Sequence, residues 1–179
     1  MRRISIVIVV MFGVMTLAPA AMAANVHFKG GKNAGPAFKD NGLTLSSTGA
    51  LAGLGNEDVV ITLSATGDPT ATCTNPSGKT DPPGQNPAPV TLTGTQSIPA
   101  SEIKNGNVSF NVTTSGPVSP IPGAPDCPNP QWTEKIIDIA FTSVTLTVEQ
   151  PEGTVVLQVS CTFSPSTSNG SVPKGNISC

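Results

Sequence analysis

The chain has 179 residues, of which only 11% are charged, with 18 Gly, 18 Pro and no Tyr. Both Arg and all four Met fall within the first 23 residues, so the remainder carries seven Lys against eleven acids. Such a surface does not attract nucleic acid or anionic lipid, and without Arg it lacks the usual bidentate clamp for phosphate or carboxylate.

Arg2 and Arg3 precede an apolar run over residues 4–17, and Ala21-Met22-Ala23 supplies a small-x-small cleavage pattern. These features predict a secretory signal peptide over residues 1–23, with no membrane insertion after cleavage. Residues 24–179 then form a single domain, long enough to bury a core. Export directs attention to Cys73, Cys127, Cys161 and Cys179, an even number without Cys-x-x-Cys spacing, which predicts two disulfides rather than a zinc site. Cys73 and Cys127 both sit in Asn-Pro loops, and Cys161 and Cys179 meet if the tail folds back on its strand. The preferred pairing is therefore Cys73 with Cys127 and Cys161 with Cys179; the rival joins Cys73 to Cys161.

In chain order, residues 25–29 alternate as a short first strand, with His27 outward between Val26 and Phe28. Asp40-Asn41-Gly42 marks a turn, and Leu43 and Leu45 lie on one face of a second strand. Residues 48–58 read as a loop that tucks in Leu51 and Leu54. Val59, Ile61, Leu63 and Ala65 define a third strand, broken at Gly67-Asp68-Pro69. Residues 75–89 are too rich in proline for helix or central strand and form a long exposed loop. A fourth strand runs over residues 90–98, a single helical turn follows Pro99, and residues 104–107 turn the chain into the alternating strand of Val108, Phe110 and Val112. Residues 115–130 are a second proline-rich loop.

Residues 132–163 hold the strongest strand signal, two β-branched runs around Pro151-Glu152-Gly153. Ile137, Ile139 and Phe141 share odd positions, whereas Val144, Leu146 and Val148 share even ones. This slip predicts a β-bulge or sheet switch at Thr142-Ser143. The reading sets Val148 opposite Val155 and Phe141 opposite Phe163. Residues 176–179 are expected as a short edge strand. About eight short strands and no long helical pattern predict an all-β antiparallel β-sandwich, with an immunoglobulin-like Greek key as the leading form and a jelly roll or closed barrel as alternatives.

Chemistry is sparse. His27 is the lone His and no Gly-x-Ser-x-Gly elbow accompanies it. Among the acids, Glu134 and Asp138 are the candidates for carboxylate chemistry, with Asp138 read as the outer face of a sheet. Asp40-Asn41 and Asn56-Glu57-Asp58 are oxygen-rich turns that lack an alternating calcium-ligand pattern. No metal and no cofactor are expected. Asn107, Asn111, Asn169 and Asn176 begin glycosylation sequons of the kind that arise by chance in Thr/Ser/Asn-rich chains.

Ala71-Thr-Cys-Thr-Asn-Pro, residues 83–89, residues 98–108 and Pro125-Asp-Cys-Pro-Asn-Pro-Gln-Trp-Thr-Glu resemble stretches of small exported bacterial β-rich proteins of uncharacterised function. The resemblance spans residues 25–179 and implies export without implying an activity. The leading expectation is a non-enzymatic extracellular binding module with a partner in the medium or cell envelope. Its interaction surface is expected on the proline-rich loops, at Pro82, Pro83, Gln85 and Asn86 on the first and Pro122, Asp126 and Trp132 on or beside the second. A proteinase inhibitor presenting one of these loops is the alternative, and a hydrolase using Asp138 or Glu134 the remaining one.

Overall fold

A computed structural model describes residues 25–31, 34–81 and 87–179. The expected signal peptide and Pro82, Pro83, Gln85 and Asn86 lie outside the described residues. Eleven strands occur among those described: β1 (His27–Phe28), β2 (Ala37–Asp40), β3 (Leu45–Ala52), β4 (Val59–Thr74), β5 (Thr80–Asp81), β6 (Val90–Ile98), β7 (Val108–Thr113), β8 (Thr133–Glu149), β9 (Val155–Phe163), β10 (Gly170–Ser171) and β11 (Ile177–Ser178). Two single-turn 3-10 helices, Ala100–Glu102 and Lys174–Asn176, are the only helices among the described residues.

All pairings are antiparallel and fall into two sheets. In the first, β3 is central: β7 lies on one edge, while β2 and β1 share the other edge in succession, and β10 continues outward from β2. In the second, the order is β11-β9-β8-β4, and the far edge of β4 carries β6 and then β5. The sheets bury one core in a sandwich-like arrangement, with Leu45, Leu51, Phe110 and Val112 from the first meeting Ile61, Leu63, Phe141 and Leu146 from the second. Strict alternation places Val59, Ile61, Leu63 and Ala65 inward and the intervening Thr and Ser outward, so one local pattern sets both core and surface.

Two strands are longer than their sequence patterns indicate. β3 continues through residues 48–52, expected as loop, because β7 and β1 pair with them. β4 runs through Gly67-Asp68-Pro69 without breaking. Against β4, β6 pairing stops at Gly67 and β5 pairing begins at Cys73, so, among the described residues, positions 68–72 have a strand partner on the β8 side alone, the edge-like setting in which proline is tolerated.

β8 contains two irregularities against β4. Thr66 pairs with Ser143 and Gly67 with Phe141, which leaves Thr142 as an extra residue at the expected slip. A Cβ on Gly67 would lie 2.7 Å from Ile139 Cγ2 and 2.9 Å from the Ala140 carbonyl, so the close approach here requires glycine. The second irregularity was not expected: Thr70 pairs with Asp138 and Ala71 with Ile136, leaving Ile137 extra. Ile137 is therefore 50% exposed, and Ile136 and Glu134 take the inward positions before it.

The β8–β9 register also differs from the expected one. Val148 pairs with Leu157, Leu146 with Val159 and Val144 with Cys161, because Glu149 faces Val155 and Val156 is extra. Next to this shift, Gln150 ties the turn to the loop before β4: its Oε1 accepts from the Gly55 N–H at 2.7 Å and its Nε2 donates to the Glu57 carbonyl at 2.6 Å. Phe163 packs edge-on against Phe38, with ring centroids 5.4 Å apart, while the Phe141 N–H and C=O bond to Thr167 in place of the expected Phe163 pairing. The disulfides are Cys73–Cys127 and Cys161–Cys179, the preferred pairing, and the latter pins β11 beside β9.

Candidate functional site: a groove between the proline-rich segments

The edges of the two sheets meet where β6 crosses the end of β7. At Gly94 an added Cβ would fall 1.9 Å from the Thr113 carbonyl oxygen, a contact that only glycine permits. Three hydrogen bonds lock this crossing: Ser115 N–H and its hydroxyl donate to the Thr93 carbonyl at 2.9 Å and 3.0 Å, and Asn111 N–H donates to Gln96 Oε1 at 2.9 Å. Beyond Ser115 the chain peels away through Gly116-Pro117, because proline has no N–H with which to extend a ladder.

A groove of about 810 Å³ opens where the edges part. Residues 87–93 line one side and residues 115–126 contribute to the other, while Leu92 and Ile136 reach it from the core. Val118 stands 74% exposed on the rim. Among the described residues Asp126 is the sole charged one lining the groove, with no Lys or Arg beside it. The size falls within the range of about 300–1,000 Å³ typical of ligand pockets.

The second wall is held from beneath. Ile121 N–H donates to the Glu134 carbonyl at 2.8 Å, Ile136 N–H donates to Ser119 Oγ at 3.1 Å, and Cys127 is tied to Cys73, which pairs with Glu134 across β4 and β8. Glu134 is fully buried. Its Oε2 accepts from the Asp126 N–H at 3.3 Å, while Oε1 has no partner among the described residues. Loss of hydration raises the Glu134 pKa above its ordinary value of 4.5; the Asp126 N–H opposes this rise and the nearby Asp126 carboxylate adds to it.

Of the residues expected at an interaction surface, Asp126 lines the groove, whereas Pro122, exposed, and Trp132, half-buried beyond the Asn129 turn, do not. Val90, Leu92, Val118, Ile121 and Ile136 line it without having been singled out as site residues. Their signal was weak, since they are ordinary apolar residues scattered over almost 50 positions.

The other chemical candidates have local roles. His27 is exposed, with Nδ1 2.8 Å from the Asn25 carbonyl oxygen. Asp40 is buried, and its carboxylate accepts from Gly42 N–H at 2.8 Å and Thr167 Oγ1 at 2.5 Å. Asp58 Oδ1 accepts from Ala100 N–H at 2.8 Å at the start of a 3-10 turn. Asp138 lies 3.5 Å from the Asn169 side-chain nitrogen, and the acid acting on Glu134 is Asp126. Among the described residues no group of three His, Cys, Asp or Glu side chains is arranged to hold a metal ion. No helix among them is long and apolar enough to cross a membrane. The chain matches no protein-family model, no curated protein and no solved structure.

Proposed function

We propose that the protein is an exported, non-enzymatic binding module that engages its partner through the groove beside β6. The observation that carries this reading is the groove itself, whose apolar lining lies between β6, held by its pairing with β4, and a second wall braced by a disulfide and by hydrogen bonds. Two disulfides belong to a non-reducing compartment, which agrees with export through cleavage after Ala23. The strand orders β2-β3-β7 and β6-β4-β8-β9 support an immunoglobulin-like Greek key, with β3 and β7 as strands B and E and β4, β8 and β9 as C, F and G.

The test is capture of envelope and medium components by the purified exported protein, compared with the Ile121→Glu variant, which places a charge in the groove. Retention of a component by the wild type and its loss with the variant supports the reading; equal retention by both removes it. Mass spectrometry of the exported form should find Ala24 at its N-terminus. The inhibitor alternative rests on Val118, exposed on a braced loop. A panel of proteases left uninhibited at micromolar protein would dispose of it.

A further inference from the structure

The backbone of β6 carries a second feature of the groove. β6 pairs with β4 in unbroken register from Ile98 to Val90. The Thr93 carbonyl accepts from Ser115, so Thr93 turns its backbone groups away from β4, and alternation turns those of Thr91 the same way. The other side of the pairing agrees: the Thr66 and Thr91 hydroxyls meet at 2.9 Å, and the Thr66 carbonyl accepts from Thr142 on the β8 side. Ser115 thus makes one rung along the outer edge of β6, and Pro117 ends it. Among the described residues, none hydrogen-bonds to the outward N–H and C=O of Thr91, and both Thr91 and Thr93 line the groove.

We propose that this groove takes an extended apolar peptide segment bearing a Lys or Arg, added as a strand to the outer edge of β6 at Thr91. The proposal rests on the groove reading above and names its partner. The outward N–H and C=O of Thr91 recognise an extended backbone, and Leu92, Val118, Ile121 and Ile136 receive alternate apolar side chains. Asp126, the one charge lining the groove among the described residues, selects a cation there, and the acidic excess of the chain beyond residue 23 favours the same sign of partner.

The probes are a seven-residue Val/Thr peptide with one central Lys, the same peptide with Glu, and the Lys peptide N-methylated at alternate residues. Titration is followed by amide NMR on the exported protein. The Lys peptide is expected to shift the Thr91 and Thr93 amides and to bind roughly five-fold tighter than the Glu peptide. N-methylation, or Thr91→Pro at the unpaired edge, should weaken it roughly five-fold or more. Asp126→Asn should equalise the Lys and Glu peptides, and this variant keeps the proposal testable should Thr91→Pro fail to fold.

Equal binding of the N-methylated peptide would overturn strand addition while leaving an apolar groove that binds ligand. Absence of any peptide binding would overturn the peptide proposal, with the Ile121→Glu capture experiment reporting separately on the groove. Dimerisation abolished by Thr91→Pro would assign the edge to a second copy and equally overturn it.

Discussion

Two carboxylates are buried among the described residues, and their surroundings are opposite. Asp40 accepts from the Gly42 N–H and the Thr167 hydroxyl, and Thr167 in turn accepts from the Phe141 N–H at 2.9 Å and donates its own N–H to the Phe141 carbonyl. This network ties the β2 turn and the loop after β9 to β8 beside its Thr142 bulge, so the bulge and the buried acid are each satisfied by the other's neighbours. Glu134 instead lies under the groove wall with one oxygen unpartnered among the described residues and Asp126 close by. A fully partnered buried acid is part of the framework, whereas a half-partnered one is a place where the structure responds to its surroundings.

The largest effect expected to break this contrast comes from the bridge that holds the wall over Glu134. Replacing Cys73 and Cys127 together by Ser opens a loop of 54 residues and should cost about 4 kcal/mol on the chain-entropy model. The 18-residue separation of Cys161 and Cys179 corresponds to about 3 kcal/mol. Urea unfolding of both double variants measures the order. Water admitted over Glu134 in the first variant should also return its pKa toward the ordinary range, visible by carboxyl NMR.

Thr167→Val comes next. It strips a donor from buried Asp40 and an acceptor from the Phe141 N–H, and the loss of two buried partners should cost about 3 kcal/mol in urea unfolding. A cost below about 1 kcal/mol would show that the Asp40 network contributes little to the framework.

Glu134→Gln should change stability at neutral pH by less than about 1 kcal/mol, because the amide keeps an acceptor for the Asp126 N–H and removes the buried charge. The sharper readout is pH. The folded state holds the Glu134 proton more tightly than the unfolded chain, so this group's contribution is intact below about 4.5 and is lost as pH rises toward the raised folded value. The difference in unfolding free energy between Glu134→Gln and the wild type should therefore grow over that window in favour of Gln. A pH-independent difference would mean that Glu134 is not desolvated.

Much of the framework was legible from local alternation. The inward set of β4, the slip at Thr142-Ser143, the turn at residues 104–107 and the single helical turn after Pro99 all follow from side-chain periodicity and backbone chemistry within a few residues. The second slip, at Ile137, was not legible, because Ile136, Ile137 and Ile139 satisfy either phase equally well. Only pairing with Ala71 and Thr70 selects Ile136 as the inward residue, and that selection buries Glu134. The β8–β9 register was likewise not legible, because the extra residue Val156 sits beside a turn held by distant contacts of Gln150 with Gly55 and Glu57.

By itself, then, the sequence determined an all-β chain with an even set of cysteines and proline-rich connections, since strand alternation, missing amides and thiol number are properties of short stretches. Tertiary structure decided how the strands pair into two antiparallel sheets, which face of β8 carries Glu134, and where the sheet edges part to form the groove. Those features depend on Gly94 meeting Thr113, on Cys73 reaching Cys127 and on Pro117 ending a ladder along β6. Each joins residues far apart in the chain, and no local periodicity specifies such a meeting.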